Sequence, residues 1–187
     1  MDSISIIRTP IESELEAFKE LYDSSLSSSN TLLDSVVAHI RQRSGKMMRP
    51  ILVLLVARLY GVVSPATLHA AVSLELLHNA SLVHDDVVDE AFVRRGAPSV
   101  NALWRSHTAV LIGDYIFART YHVCMEQGGD DMLSEATRSV HEMSEGELTQ
   151  TELSESLRMP RELYLDIIYK KTASLLAACG AIGAISV

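Results

Sequence analysis

The amino-acid sequence predicts an all-α fold, and two features indicate this class. Helix start and stop signals recur along most of the 187 residues. No segment alternates apolar and polar residues between hairpin signals, as a half-buried strand would. Because 48% of the residues are hydrophobic, the chain has enough apolar side chains for one sizeable core. We therefore expect a single all-helical domain over residues 1–187.

The first half of the chain divides at clear helix signals. Pro10 lies at the start of "IESELEAFKELY", where early acidic residues follow a proline at the first helical position. The serine-rich stretch Ser24–Asn30 is predicted to connect this helix to the next, which runs through Arg43 before Gly45 ends it. A third helix is predicted over "MMRPILVLLVARLYG".

Longer helices are predicted in the second half. A start signal at Ser64 opens a helix that continues to about Glu90, followed by the loop "FVRRGAPS". Helical periodicity resumes over about Val100–Gln127, and "GGDD" is expected to end that helix and cap the next. The next helix continues towards Leu157, and Pro160 opens the last one.

Charge and composition exclude several classes of protein. The formal net charge of −8 argues against a general nucleic-acid surface. The N-terminus lacks a basic flank followed by an apolar segment, so we expect a cytoplasmic protein. The apolar stretch "TASLLAACGAIGAISV" is shorter than the ~20 residues that cross a bilayer, and no transmembrane helix is expected. Cys124 and Cys179 form no CxxC pattern and are interpreted as reduced, buried thiols.

An acidic cluster interrupts the long helix at "LVHDDVVDEAFVRRG". Asp85, Asp86 and Asp89 lie on one helical face, while Val83 and Val88 lie on the opposite side and are expected in the core. A charged helix face is usually just solvated. Carboxylates four residues apart repel each other, however, so a bound cation is favoured. Magnesium takes one or two carboxylates together with phosphate oxygens, and Asp85 and Asp89 are its predicted ligands.

Basic residues lie near this cluster and elsewhere in the chain. Arg94 and Arg95 follow it in a turn-prone loop, and their planar guanidinium groups suit phosphate. Lys46 and Arg49 in "GKMMRP" lie at a predicted helix start, where an anion is also favoured. Solvated cations at an ordinary helix start explain this second pair equally simply.

A third basic segment is "YKKTASL", which lies in an otherwise apolar helix. Lysines at the rim of a core, with their charged ends reaching solvent, are the simpler interpretation of Lys170 and Lys171. The alternative is that they contribute to an anion site.

Taken together, the motifs resemble those of trans-isoprenyl (polyprenyl) diphosphate synthases. The sequence has "GKMMRP", "LLHNASLVHDDVVDEAFVRRGAPSVN", "AVLIGDYIFAR", "GELTQ" and "YLDIIYKKTASL" in the order found in that family. The resemblance runs from about Gly45 to Leu175. It implies an isoprenoid-synthase-type helical bundle around a central cavity. It also implies Mg²⁺-dependent, head-to-tail condensation of isopentenyl diphosphate onto an allylic diphosphate, and a homodimer.

The resemblance also implies roles for individual residues. The catalytic first aspartate-rich motif would comprise Asp85, Asp86 and Asp89, with Asp85 and Asp89 as the direct metal ligands. The pocket for isopentenyl diphosphate would comprise Lys46, Arg49, His78 and Arg95. The residues near the allylic diphosphate would be Arg94, Lys171, Thr172 and Gln150, of which the first three are also implied to be catalytic.

Product length is predicted to depend on Ala80 and Ser81, about one turn before Asp85. In the family, bulky aromatic residues at these positions block the cavity and give short products. Small residues therefore imply a medium- or long-chain polyprenyl diphosphate. Helix packing alone is an alternative reason for a small residue at position 80.

The sequence departs from the family pattern in one important respect. A second aspartate-rich motif is expected after the lysine–threonine pair and is absent, because the sequence stops at Val187 within a predicted helix. Asp130 and Asp131 precede the pair and are better explained as helix-capping residues. We therefore expect a C-terminally incomplete bundle.

Two hypotheses remain open at this point. The chain is either the N-terminal portion of a polyprenyl diphosphate synthase or a catalytically incomplete, regulatory subunit that binds diphosphate and pairs with a full-length synthase. A terpene cyclase shares an aspartate-rich helix, but it does not explain the three basic motifs together.

Overall fold

The computed structural model describes residues 3–42, 45–154 and 160–187, and its architecture is helical as predicted. A 3₁₀ turn spans Thr9–Ile11 and a π turn spans Tyr169–Ala173. The α-helices are α1 (Ser3–Arg8), α2 (Glu12–Ser25), α3 (Thr31–Gln42), α4 (Met48–Tyr60), α5 (Pro65–Val88), α6 (Val100–Gln127), α7 (Gly129–Ser154), α8 (Arg161–Ile168) and α9 (Ser174–Ile185).

A small hairpin lies between α5 and α6 and was not predicted from the sequence. Val93–Arg94 (β1) pairs antiparallel with Ala97–Pro98 (β2). Arg95 and Gly96 form the turn with φ values of 52° and 76°, as a two-residue hairpin of this kind requires. Two residues per strand are too few to produce an alternating pattern, so neither strand can be recognised from the sequence.

The long helix α5 begins as predicted but ends earlier. The Ser64 hydroxyl accepts a hydrogen bond from the Thr67 backbone N–H, and the Thr67 hydroxyl accepts one from the Ser64 N–H, both at 3.2 Å. This reciprocal pair closes the N-terminus. At the other end α5 stops at Val88, because Glu90 adopts a left-handed φ of 50°.

Several other helix boundaries differ from the predictions. The first α-helix, α1, was not predicted, and Pro10 lies in the 3₁₀ turn before α2. Lys46 lies outside α4, which begins at Met48 after a left-handed Met47. The predicted last helix is divided into α8 and α9 by the π turn, and α9 ends at Ile185, short of the expected Val187.

The remaining boundaries agree with the sequence or cannot be compared. α6 has the predicted bounds, although Arg105 interrupts its helical backbone with φ 69° and ψ 161°. Asp130 and Asp131 lie in the first turn of α7, where carboxylates favour a helix start. The predicted helix ends at Arg43 and Leu157 fall outside the described residues.

The core forms around α5, which packs along α6 and also contacts α2, α4 and α9. Its side chains from Ala70 to Leu77 are all buried. Cys124 and Cys179 are buried free thiols, as predicted. Val88 was expected in the core, but it is 77% exposed because it occupies the last residue of α5, beyond the packed region.

The apolar helix α9 contacts both α4 and α7. It is 12 residues long. Across the described ranges, no helix combines the length and apolar character needed to cross a membrane.

Two glycines of α9 permit a matched test of this packing. A Cβ on Gly183 would lie 2.7 Å from the Val53 carbonyl oxygen, whereas a Cβ on Gly180 would meet open space. We expect Gly183→Ala to reduce the free energy of unfolding by about 1–3 kcal/mol, because the backbone of α4 must shift. Gly180→Ala should increase it by up to about 1 kcal/mol through helix propensity. Urea denaturation of both variants measures this, and equal values would contradict the close contact.

Candidate active site

The last turns of α5 form one wall of a cavity of about 190 Å³. Its polar lining includes Ser81 and Asp85 from α5, Glu147 from α7 and Lys171 from the π turn. The facing apolar side chains are Phe117, Val140 and Met143. One end of the cavity is therefore suited to charged groups and the other to hydrocarbon.

Asp85 is a half-buried carboxylate in an acidic environment. Its pKa is raised to about 6, first by burial and then by the charges of Glu147 and Asp89, while Arg94 and Lys171 oppose the shift. Asp89 is exposed and caps the C-terminus of α5, with its backbone N–H donating to the Asp85 carbonyl at 2.8 Å. Ionised Asp85 is thus costly without a nearby cation.

The donor atoms in this region suit a hard cation. Asp85, Asp89 and Glu147 offer carboxylate oxygens, which suit magnesium; histidine and cysteine ligands typical of zinc are not needed. Within the described residues, no three histidine, cysteine, aspartate or glutamate side chains converge closely enough to hold a metal by themselves. Magnesium usually takes one or two carboxylates together with phosphate oxygens, so Asp85 and Asp89 fit a site that substrate completes.

Asp86 has a different environment from the other two aspartates. It is 3% exposed, and its Oδ1 accepts a hydrogen bond from Arg94 Nε at 2.7 Å. Its backbone carbonyl also accepts a longer hydrogen bond, of 3.4 Å, from Asn101 Nδ2. Asp86 therefore joins the end of α5 to the hairpin and fixes the position of Arg94.

A lysine from the π turn reaches the acidic wall. Lys171 Nζ donates to Gln150 Oε1 at 2.7 Å and lies 2.8 Å from Glu147 Oε2. Thr172 is exposed and lines an adjoining cavity of about 440 Å³ together with Gln150. The structure thus brings together Lys171 and Gln150, and it adds Glu147, which sequence reasoning missed. Glu147 lies one turn before Gln150 on the same face of α7, and this spacing could have indicated that it belongs to the site.

Close helix packing explains how Lys171 reaches this wall. A Cβ on Gly146 would lie 2.8 Å from the Lys170 Cβ and 3.1 Å from the Lys171 backbone nitrogen. Lys170 faces elsewhere, with Nζ 3.3 Å from Glu145 and 3.1 Å from Asp166. Both lysine side chains are partly exposed, as expected at the rim of a core, and each also forms an ion pair. The π turn that carries them is a rare conformation that is frequent at functional sites.

A second group of predicted residues lies around His78. The pKa of His78 is lowered to about 3, first by burial and then by the positive charges of Arg49, Arg95 and Arg94. The imidazole is therefore neutral at pH 7, and its cationic neighbours favour that state. Arg49 lies in the first turn of α4 and is partly buried, which is not the environment of a solvated cation.

Lys46 lies at the edge of this basic group. Its side chain is exposed, and its carbonyl oxygen accepts a hydrogen bond from Arg8 Nη2 at 2.6 Å. The neighbouring Gly45 contacts Arg95, since a Cβ on Gly45 would lie 2.9 Å from both terminal guanidinium nitrogens. The loop before α4 therefore meets the hairpin turn.

The two residues predicted to control product length have different environments. Ala80 is fully buried in the core, whereas Ser81 lines the cavity and donates to the His78 carbonyl at 2.9 Å. His84 and Phe117 were missed by sequence reasoning. Their rings stack with centroids 5.6 Å apart, and His84 Nε2 lies 3.4 Å from Asp114. Both side chains line the cavity.

A helical bundle with this carboxylate-bearing cavity at the end of a central helix has the isoprenoid synthase fold. Residues 30–187 match the model of the polyprenyl synthetase family, and the chain belongs to that family. Both conclusions agree with the resemblance noted in the sequence.

Individual relatives support this assignment. An all-trans-nonaprenyl-diphosphate synthase (geranyl-diphosphate specific) from Rhodobacter capsulatus is 37% identical over 90% of this chain and 52% of its own length. Heptaprenyl diphosphate synthase component 2 from Geobacillus stearothermophilus is 36% identical over 94% of this chain and 55% of its own length. A polyprenyl synthase structure from Caulobacter crescentus, complexed with calcium and isoprenyl diphosphate, has a TM-score of 0.94 and 31% sequence identity. The match covers 98% of this chain and 56% of that protein. The chain thus spans about half the length of these relatives.

The Asp86–Arg94 pair can be tested by a double-mutant cycle. We expect Asp86→Asn to reduce the free energy of unfolding by about 1.5–3 kcal/mol, because Arg94 loses a charged, mostly buried acceptor. Arg94→Gln should reduce the free energy of unfolding by a similar amount, and the reduction in the double variant should be smaller than the sum of the two single reductions. Urea denaturation measures all three variants, and strictly additive effects would contradict the pairing.

Proposed function

We propose that this chain is the N-terminal part of a trans-polyprenyl diphosphate synthase. The proposed reaction is Mg²⁺-dependent head-to-tail condensation of isopentenyl diphosphate onto an allylic diphosphate, giving a medium- or long-chain product. We further propose a single domain over residues 1–187 and a cytoplasmic location. The names of the relatives support the reaction class, and the calcium and isoprenyl diphosphate in the Caulobacter crescentus structure support a cation next to diphosphate.

The observation that carries this proposal is that two differently charged regions lie along α5, and we infer that each binds a diphosphate. One is the carboxylate wall at Asp85, where Lys171 and a bound cation could hold an allylic diphosphate. The other is the basic group around His78, which includes Arg49 and Arg95 and needs no cation. A condensation of two diphosphates requires two such regions close together, and they lie within about two turns of one helix.

The residues of the chain would perform distinct tasks in this reaction. Lys171 and Arg94 would orient the allylic diphosphate, and Arg49 and Arg95 would hold isopentenyl diphosphate. Magnesium held by Asp85 and Asp89 would supply positive charge that stabilises the departing diphosphate. As the allylic carbon–oxygen bond breaks, the isopentenyl double bond attacks the resulting cation, and a proton is then lost to the released diphosphate. Phe117 and its apolar neighbours would exclude water from that cation.

A second candidate is a catalytically incomplete or regulatory subunit. One observation favours it: the relative from Geobacillus stearothermophilus is named as a component of its synthase. In that case the diphosphate-binding residues would act together with a full-length partner.

We also propose that the protein forms a homodimer. The helix α6 carries four exposed apolar side chains, Leu103 (49% exposed), Val110 (41%), Leu111 (55%) and Met125 (68%). Burying such side chains between copies would be favourable.

The proposed activity can be measured directly on the purified 187-residue chain. With Mg²⁺, an allylic diphosphate and labelled isopentenyl diphosphate, we expect a polyprenyl product detectable by mass spectrometry. Asp85→Ala or excess EDTA should reduce the rate by about 100-fold or more, because charge on the leaving group is no longer stabilised. Asp131→Ala, an exposed aspartate at the start of α7, is the matched control and should retain full activity.

The two candidate functions give different results in this assay. Sustained turnover by the chain alone supports the synthase. A lack of turnover with Mg²⁺-dependent diphosphate binding retained means a half-built site whose catalytic function belongs to a longer parent. A stable complex with a full-length synthase, whose own rate changes when this chain is added, supports the subunit. Absence of any diphosphate binding would contradict both.

Product length provides a further test on two neighbouring residues. We expect Ser81→Phe to shorten the product, because the new ring enters the cavity. Ala80→Phe should instead destabilise the fold by about 1–3 kcal/mol or more, because position 80 is fully buried. Product chromatography and thermal denaturation separate these effects, and an unchanged product from an active Ser81→Phe variant would exclude a role for this position in product length.

A further inference from the structure

Glu75 is a buried carboxylate of α5 that neither the sequence motifs nor the proposed chemistry uses. It is 4% exposed, and its Oε2 has no hydrogen-bond partner in the part of the chain that the structure describes. An unsatisfied buried carboxylate oxygen is costly, and such groups in native proteins often have a functional reason. The position of Glu75, one turn before His78, places it beside the basic group.

The neighbours of Glu75 are the two arginines of that group. Burial raises the pKa of Glu75, and the positive charges of Arg49 and, more weakly, Arg95 oppose this shift. Arg49 lies on α4, which packs against α5. The Arg49 Nε is likewise buried without a hydrogen bond within the described ranges. The cluster therefore contains an unsatisfied acceptor and an unsatisfied donor that belong to oppositely charged side chains.

The two positively charged guanidinium groups also repel each other. Arg95 lowers the pKa of Arg49, in addition to the larger effect of burial, whereas Glu75 raises it. Arg95 reaches this region from a left-handed backbone conformation, and its guanidinium packs on the backbone at Gly45. A buried negative charge between α4 and the hairpin offsets this repulsion while no substrate is bound.

We propose that Glu75 is a positioning residue that holds Arg49 and Arg95 in place to receive the diphosphate of isopentenyl diphosphate. The inference rests on the proposed function of this basic group. Asp86 has the equivalent task for Arg94, with which it forms a direct hydrogen bond. Arg49 is only partly buried, so part of its side chain is accessible to the incoming diphosphate.

The test uses binding measurements without metal, so that only the cations of the protein contribute. Isothermal titration with inorganic diphosphate and with isopentenyl diphosphate, both in EDTA, compares the wild type with Glu75→Gln and Glu75→Asp. We expect Glu75→Gln to weaken both ligands about tenfold or more. Glu75→Asp retains the charge and should recover part of the affinity. Glu20→Gln removes the same charge from an exposed site on α2 and should bind like the wild type.

Kinetics provide a measurement that a merely structural role would not change. In the active enzyme, Glu75→Gln should raise the KM for isopentenyl diphosphate about tenfold, with kcat and the KM for the allylic diphosphate changed by less than about twofold. Circular dichroism establishes that each variant is folded. If Glu75→Gln does not fold, Glu75→Asp decides the matter through the same split between the two KM values.

Several outcomes would overturn the proposal. Unchanged affinity in a folded Glu75→Gln variant would mean that the carboxylate serves only the core. Tighter binding would mean that it competes with diphosphate for the arginines. Failure of the wild type to condense isopentenyl diphosphate would count against the proposed function, whereas the binding comparison would still test Glu75.

Discussion

The structure depends on a single constraint: α5 must bury an apolar surface along most of its length and still present charged side chains at its C-terminal end. Its middle is enclosed by α2, α4, α6 and α9. Burial there fixes the rotation of the helix, and that rotation decides which carboxylate faces the cavity and which faces the hairpin. Asp85 consequently faces α7, whereas Asp86, only about 100° further round the helix, is buried against Arg94.

Charge is organised around this helix so that each buried ionic group has an opposite charge nearby. Lys171 lies beside Glu147 at the cavity, Arg94 pairs with Asp86 at the hairpin, and Arg49 lies near Glu75 between α4 and α5. The pKa of Asp85 is nevertheless raised, first by burial and then by the charges of Glu147 and Asp89. Such a shift is common where a protein binds a cation or a charged substrate.

The basic residues depend on less regular parts of the chain. Arg95 lies in a hairpin turn with a left-handed backbone, and Lys171 lies in a π turn between α8 and α9. Both conformations cost free energy locally and require support from the surrounding packing. Gly146 provides part of that support, because it allows α7 to approach the backbone of the π turn.

The sequence by itself determined the features that depend on neighbours a few residues apart. These include the helical class, the N-terminal cap of α5 and the aspartate spacing, because periodicity and capping are local properties. The family followed from the resemblance of the motifs. Only the tertiary structure decided which distant groups meet. Glu147 lies near Asp85 although 62 positions separate them in the sequence, and Arg49 lies near Glu75 although the two are on different helices. Val88 is exposed although its helical face is apolar. Helix packing sets these outcomes, and a single sequence carries no local signal for contacts between elements far apart along the chain.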